Sequence, residues 1–230
     1  MGFSMIVYAL GLQQDLLSDV RKSLAKLRIR VDCLPETCLD AAGVLLQPTD
    51  GVAPSVLVGM DAIRLCGDLR ARGVTCPAIG LLEPGTADRT LSLFEAGADD
   101  VMIAPVLATE LKARINAIVR RMSGHAAPVI RLGEIEAYLD GRPPRVSGRE
   151  IRLTDKEQEI FRQLVLRPDA ACRRDALFSA VYSLADRQPE ERAIDMHVYK
   201  LRRKISALAE SGASYIETVP GGYRIRAAHG

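Results

Sequence analysis

The sequence contains no run of about 18 apolar residues, the length a membrane-spanning helix needs. Its opening, MGFSMIVYALGL, has neither a basic first segment nor a small-residue cleavage site. Neither a membrane span nor a secretory signal is expected, and the chain is assigned to the cytoplasm. Cysteine is sparse: Cys33, Cys38, Cys66, Cys76 and Cys172 are odd in number and never spaced C-x-x-C. That pattern argues against disulfides, zinc and redox chemistry and for buried thiols. No G-x-G-x-x-G follows the first candidate strand, and Gly11 alone does not cradle a phosphate, so a nucleotide-binding enzyme has little support. No cofactor, metal or catalytic activity is expected.

A strong excess of one charge is also missing, since the net charge is only +2. The distribution says more. Residues 1–124 carry 13 Lys/Arg against 14 Asp/Glu, and residues 125–230 carry 18 against 15. Within Arg192–Lys204 there are five basic side chains and one acid, so the positive charge is concentrated in one late segment.

A length of 230 residues allows two small domains. The first half alternates short apolar runs with amphipathic stretches, the pattern of βα units wound into a parallel sheet. Strands are expected at Met5–Leu10, Ile29–Cys33, Ser55–Met60, Ala78–Leu82 and Val101–Ile103. Helices are expected at Gln13–Leu27, Pro35–Leu46, Asp61–Arg72, Ala87–Ala96 and Ala108–Arg121. Ser123, Gly124 and Pro128 then break the pattern. The boundaries read as a domain at 1–122, a linker at 123–128 and a second domain at 129–230.

In the second half, Ile130–Val146 reads as a small antiparallel sheet. Thr154-Asp-Lys-Glu157 reads as a capping box opening a helix. A second helix at Arg173–Tyr182, a polar loop at Ser183–Pro189 and a third helix from Glu190 to Ala209 follow. Tyr215–Val219 and Tyr223–Arg226, joined by Pro220-Gly-Gly, form a β-hairpin signature. Along the third helix Ile194, Val198, Leu201, Ile205 and Leu208 make one apolar stripe. Arg192, Met196, Tyr199 and Arg203 lie opposite, flanked by Lys200 and Arg202. Such a face fits a DNA major groove, because long cations reach guanine edges or phosphates and Met or Tyr can touch a thymine methyl. A solvated basic helix is the alternative, and the hairpin directly after it favours DNA by adding a second contact surface.

The stretches L-T-D-K-E-Q-E-I-F, A-I-D-M-H-V-Y-K-L-R-R-K-I and Y-I-E-T-V-P-G-G-Y-R resemble, in order and spacing, the effector domain of the OmpR/PhoB family of response regulators, over about Ile130 to Arg226. The resemblance implies a winged helix-turn-helix fold and binding to double-stranded DNA, with RNA polymerase as a further partner. It puts Arg192, Met196, Tyr199, Lys200 and Arg203 at outward recognition-helix positions. Arg202 and His197 fall at positions that touch the DNA backbone. The helical angle of His197, close to the apolar stripe, equally allows a partly buried packing role. Arg224 is a candidate phosphate contact or a plain strand residue. The wing departs from the family's T-V-x-G-x-G-Y by being one residue shorter and carrying Pro220, which makes minor-groove reading by its tip doubtful. Within the family, L-F-S-A-V-Y and E-E-R-A-I-D-M-H resemble segments of cell-cycle and flagellar regulators.

The first half resembles the family's receiver domain at L-F-E-A-G-A-D-D-V-M-I-A-P-V and E-L-K-A-R-I-N-A-I-V-R-R, which implies a flavodoxin-like, doubly wound α/β fold with five parallel strands and a cis Ala104–Pro105 bond. A receiver needs an acidic pair for Mg²⁺, an acceptor aspartate, a hydroxyl and a lysine. At the matching strand ends stand Ala9 and Leu10, Met60, Leu82 and Ala104. The expected consequence is a receiver without phosphorylation chemistry, its pocket filled as core. Asp61, one residue past the acceptor position, is the weak candidate for the alternative, a regulator switched by phosphorylation. Asp61 more readily begins a helix, where a carboxylate suits the positive dipole end. The family pairs through its fourth helix, fifth strand and fifth helix, and Asp99, Asp100, Glu110 and Arg114 stand at comparable positions, which implies a homodimer. A protein-interaction adaptor with a degenerate winged helix is the remaining rival; it would show no salt-dependent binding to duplex DNA.

Overall fold

The computed structural model describes residues 5–34, 55–59, 61–140, 142–182 and 193–226. Met60, the helix expected at Pro35–Leu46, the loop at Ser183–Pro189 and Arg192 lie outside the described residues. Contacts divide the chain into two compact units: the described residues up to Val119 form one, and those from Arg120 onward form the other.

In the first unit, strands β1 (Met5–Leu10), β2 (Ile29–Leu34), β3 (Ser55–Val58), β4 (Ala78–Leu82) and β5 (Asp100–Ile103) form one sheet in the order β2-β1-β3-β4-β5. Every pairing is parallel. Buried on both faces, β4 reads AIGLL, a continuous apolar run with no alternation. Helices α1 (Gln14–Ala25), α2 (Ala62–Ala71), α3 (Thr90–Glu95) and α4 (Ala108–Met122) accompany the strands. The single helix expected at Ala87–Ala96 begins instead as a 3-10 turn, Ala87–Arg89. Leu65, Leu69, Leu93, Val56 and Val58 are wholly buried in one core cluster, each contributing roughly 1.5–3 kcal/mol of transfer free energy.

The ends of β1 and β4 are apolar and closed. Ala9, Leu10 and Leu82 are buried. Gly59 donates its N–H to the Leu10 carbonyl at 3.0 Å. A Cβ on Gly59 would lie 2.5 Å from the Gly11 carbonyl oxygen and 2.8 Å from Leu12 Cδ2. No side chain fits there, because the β1–α1 turn and the Leu12 side chain already occupy the space. Asp61 precedes α2 in a left-handed conformation (φ 54°) with its carboxylate exposed and making no capping hydrogen bond. It therefore starts the helix through its backbone alone. The Ala104–Pro105 bond is cis.

Asp99, Asp100, Glu110 and Arg114 all find partners within the chain. Asp99 accepts from Arg70 at 2.9 Å and from the Ala78 amide at 2.7 Å. Arg114 donates to both Asp100 oxygens, at 3.0 and 2.8 Å, and to Glu110 at 2.7 Å. Beside them, Leu91 and Phe94 on α3, Ile103 on β5 and Leu107 before α4 are exposed.

Of the cysteines, Cys66, Cys76 and Cys172 are buried, and burial pushes the thiols of Cys66 and Cys76 up to about 11 and 12. Cys33 corrects the expectation of buried thiols: it is exposed, with the Arg21 guanidinium 3.2 Å from its sulfur. It sits near the end of β2, an edge strand whose burial is only partial. Cys38 lies outside the described residues.

The second unit opens with an antiparallel sheet of β6 (Val129–Leu132), β7 (Ile135–Tyr138), β8 (Arg145–Val146) and β9 (Arg149–Glu150). Three helices follow: α5 (Asp155–Leu166), α6 (Arg174–Val181) and α7 (Ala193–Ser206). The Thr154 box forms as read, with Thr154 Oγ1 accepting from the Glu157 amide and the Glu157 carboxylate accepting from the Thr154 amide. The chain closes in a hairpin of β11 (Ile216–Val219) and β12 (Gly222–Ile225). A third strand, β10 (Cys172–Arg173), pairs with β12 and was not apparent in the sequence. It is two residues long, too short to show alternation. Its approach needs Gly222, where a Cβ would lie 2.1 Å from the Cys172 carbonyl oxygen.

Candidate nucleic-acid interface

Helix α7 buries Ile194, Val198, Leu201 and Ile205, the stripe that the spacing predicts. Leu208 falls past the helix end, in a turn where its amide donates to the Ile205 carbonyl at 3.0 Å. On the opposite face Met196 and Tyr199 are each 55% exposed, far more than large apolar residues of a monomer core. Lys200 and Arg203 are exposed beside them and make no ion pair among the described residues. The structure thus brings Met196, Tyr199, Lys200 and Arg203 together on one open surface.

The other cations of the helix are engaged. Arg202 Nε donates to the Ile216 carbonyl and its Nη2 to Thr218 Oγ1, both at 2.9 Å. Lys204 donates to the buried Glu157 carboxylate at 2.6 Å and to the Arg152 carbonyl at 2.9 Å. Burial alone would raise the Glu157 pKa, but the bonds from Lys204 and Thr154 outweigh it and hold the group below its usual range. Arg224, in the wing strand, donates to Glu217 at 2.7 Å, and Arg226 pairs with the same carboxylate at 3.1 Å.

His197 is half-buried. Its Nε2 lies 3.2 Å from the Tyr182 hydroxyl, and Nδ1 is buried without a partner. Burial, then the nearby Lys156 ammonium, push its pKa down, so the ring is neutral at physiological pH. The Lys156 ammonium sits 3.6 Å over the Tyr182 ring, and Phe178 stacks on that ring at 4.7 Å. These contacts fix the packing of α7 against α5 and α6.

Sequence reasoning missed a network on the first turn of α7. Asp195 accepts from Arg174 at 3.0 Å and from the Tyr223 hydroxyl at 2.5 Å. The Arg174 amide also donates to the Gly221 carbonyl in the wing turn, at 3.1 Å. Burial, then the bond to Asp195, raise the Tyr223 pKa. The available signal was an acid alone among five bases, placed where a carboxylate suits the helix N-terminus.

A helix with an apolar back and a cationic front, packed on two further helices and followed by a β-hairpin, defines a winged-helix regulator of transcription. Residues 148–225 match the family model described as transcriptional regulatory protein, C terminal. The chain is 37% identical to the cell cycle transcriptional regulator CtrA of Caulobacter vibrioides over 169 residues, 73% of this chain and 71% of that protein. It is 35% identical to the flagellar transcriptional regulator FtcR of Brucella abortus, over 63% of this chain and 65% of that protein. Among solved structures it is similar to the response regulator DrrB of Thermotoga maritima, an OmpR/PhoB homologue, with 20% identity, TM-score 0.42, and coverage of 98% and 100% of the two chains. The chain belongs to the OmpR/PhoB-type response regulators, which are DNA-binding regulators of transcription. Among the described residues no helix is long and apolar enough to cross a membrane, and no group of three or more His, Cys, Asp or Glu could hold a metal ion.

Proposed function

We propose that this chain binds a specific DNA sequence through the open face of α7, as a homodimer, without aspartyl phosphorylation. In this reading residues 1–122 form a receiver-like pairing domain, 123–128 a linker and 129–230 the DNA-binding domain, and RNA polymerase is the partner in transcription. The observation that carries the reading is the exposure of Met196, Tyr199, Lys200 and Arg203 on one face, while Arg202 and Lys204 are held by neighbours. His197, Arg224 and Arg192 are carried as secondary contact candidates, the first two already bonded within the chain.

The Mg²⁺ that receivers of this family use does not fit the residues present. Ala9 and Leu10 offer no carboxylate and are buried, Leu82 and Ala104 offer no hydroxyl or ammonium, and Leu12 with the Gly11 carbonyl packs against Gly59. A phosphoryl group on Asp61 would therefore lack every charge that normally stabilises it. Pairing is proposed through the α3–β5–α4 face. There the exposed Leu91, Phe94, Ile103 and Leu107 would be covered by a second copy, with the neighbouring Asp99, Asp100, Glu110 and Arg114 at the edge.

The test begins with duplexes selected from a random-sequence pool by the full chain. Lys200→Ala and Tyr199→Ala should each weaken binding to the selected duplex by about 1–3 kcal/mol and bind unrelated duplex nearly as before. Equal losses on both would mean that these side chains only position the helix. Incubation with a small phosphodonor and Mg²⁺ should leave the intact mass unchanged; a stoichiometric phosphoryl group on Asp61 would establish the switched alternative. A strictly monomeric chain at micromolar concentration, free and on DNA, would remove the dimer.

A further inference from the structure

We infer that Arg202 and Asp195 are positioning residues that hold the wing at a fixed distance and angle from the recognition helix. The inference rests on the reading of α7 as the DNA-facing helix.

By composition Arg202 equals Arg203, yet the two side chains go opposite ways. Arg202 reaches two positions of β11, bonding the backbone carbonyl of Ile216 and the side-chain hydroxyl of Thr218. Each of those bonds is charge-assisted, and reaching a phosphate would require breaking both. The planar fork suits two acceptors at fixed spacing, which an ammonium could not match.

Asp195 makes the second attachment, two turns earlier on the same helix. Its Oδ1 holds the Tyr223 hydroxyl of β12 and the Arg174 guanidinium of α6. The Tyr223 ring, 4% exposed, lies within 5.0 Å of the Arg174 guanidinium and 5.6 Å of the Arg202 guanidinium. From the other side, the Arg174 amide bonds the Gly221 carbonyl at the wing turn. Both wing strands and the turn are thereby tied to the helical core, and two of the three ties begin on α7. Asp195 would repel phosphate if it were unpaired on the open face. Arg174 and Tyr223 neutralise it by charge and hydrogen bond, so the acid serves the geometry without opposing the DNA.

With the two-residue turn Pro220-Gly221, whose Gly221 has φ 78°, the wing cannot extend to find a groove. Where it meets the duplex is set by how it is anchored.

The experiment uses a duplex selected from a random pool by the wild-type full chain. Thr218→Val removes one acceptor of Arg202, and Tyr223→Phe removes the hydroxyl held by Asp195; neither changes a charge. Both should bind that duplex about tenfold more weakly. Their salt dependence should be that of wild type. In hydroxyl-radical footprints the protection under α7 should persist, while the protection flanking it, from the wing, fades. Arg202→Ala should behave like them, whereas Arg203→Ala should lower the slope of log affinity against log salt by about 0.9, the loss of one phosphate contact. The inference is overturned if Arg202→Ala lowers the slope as Arg203→Ala does, or if Thr218→Val and Tyr223→Phe keep wild-type affinity and footprint. Should Arg202→Ala not fold, the two uncharged variants decide alone. A wild-type chain that selects no duplex defeats the functional reading at the first step, and is recognised there before any variant is made.

Discussion

Lys204→Met isolates the tie between the recognition helix and α5. In the wild-type chain the Lys204 ammonium lies 2.6 Å from a Glu157 carboxylate that is only 1% exposed. Removing the ammonium leaves that carboxylate with the bonds from Thr154, whose amide lies at 2.8 Å and whose side chain also bonds it. Breaking a fully buried pair in this way costs about 3–5 kcal/mol. Lys204 itself is 36% exposed and the amide bond persists, so the expected cost falls to about 2 kcal/mol. For a domain of this size that corresponds to a fall of about 8–16 °C in the melting temperature of the second unit, read by calorimetry. Glu157→Gln removes the charge and keeps an acceptor at the cap. In that background Lys204→Met should cost under about 0.5 kcal/mol, because no unpaired charge is created. The pH dependence provides a second check. Glu157 has a folded-state pKa below its usual 4.5. Its contribution is therefore complete above that value and is lost as pH falls through the depressed one. The gap between wild type and Lys204→Met should close on acidification. An equal cost in the Glu157→Gln background, or a gap that survives acidification, would refute the buried pair as the cause.

Thr154→Ala removes the side-chain half of the capping box and should lower stability by about 1 kcal/mol in urea unfolding, with Thr154→Ser close to wild type. Glu134 accepts from the Ser147 hydroxyl and from the Glu210 and Ser211 amides, which hold its pKa down to about 2. Its stabilisation is present above the usual 4.5 and fades as pH falls toward 2, so Glu134→Gln should flatten the acid limb of the melting curve over that window. Adding Lys204→Ala to Arg203→Ala should leave the salt slope of DNA binding where Arg203→Ala alone puts it, about 0.9 below wild type.

The element order was readable because its causes are local in sequence. The continuous apolar runs of β1 and β4 signal strands buried on both faces, and Thr154 to Glu157 carries a complete cap signal. The three-and-four spacing of Ile194, Val198, Leu201 and Ile205 names the buried side of α7, and with it the exposure of Met196 and Tyr199. Strand β10 was not readable, since it exists only through its pairing with Gly222, about fifty residues away. The burial of Ala9, Leu10 and Leu82 follows from their apolar runs, but the packing around Gly59 was not legible. That Leu12 packs against Gly59 depends on the path of a turn that no periodicity encodes.

Charge was the hardest feature to read, and the reason is the length of the side chains that carry it. A helical wheel fixes the direction of a Cβ, whereas an arginine or lysine can return along its own helix or reach a neighbouring strand from there. Of the five bases between Arg192 and Lys204, Arg202 is committed to β11 and Lys204 to Glu157, leaving Lys200 and Arg203 open among those described. Counting bases therefore overstates what the helix offers to phosphate, while the one acid of that segment, Asp195, is neutralised by Arg174 and Tyr223. The two corrections act in opposite directions on electrostatics but in the same direction on geometry. Fewer free cations make for a shallower, less sequence-blind attraction, while Arg202 ties the helix to β11 and Lys204 ties it to α5. In the proposed reading, specificity rests on Met196, Tyr199 and the two free cations being presented rigidly, more than on the total charge brought to the groove.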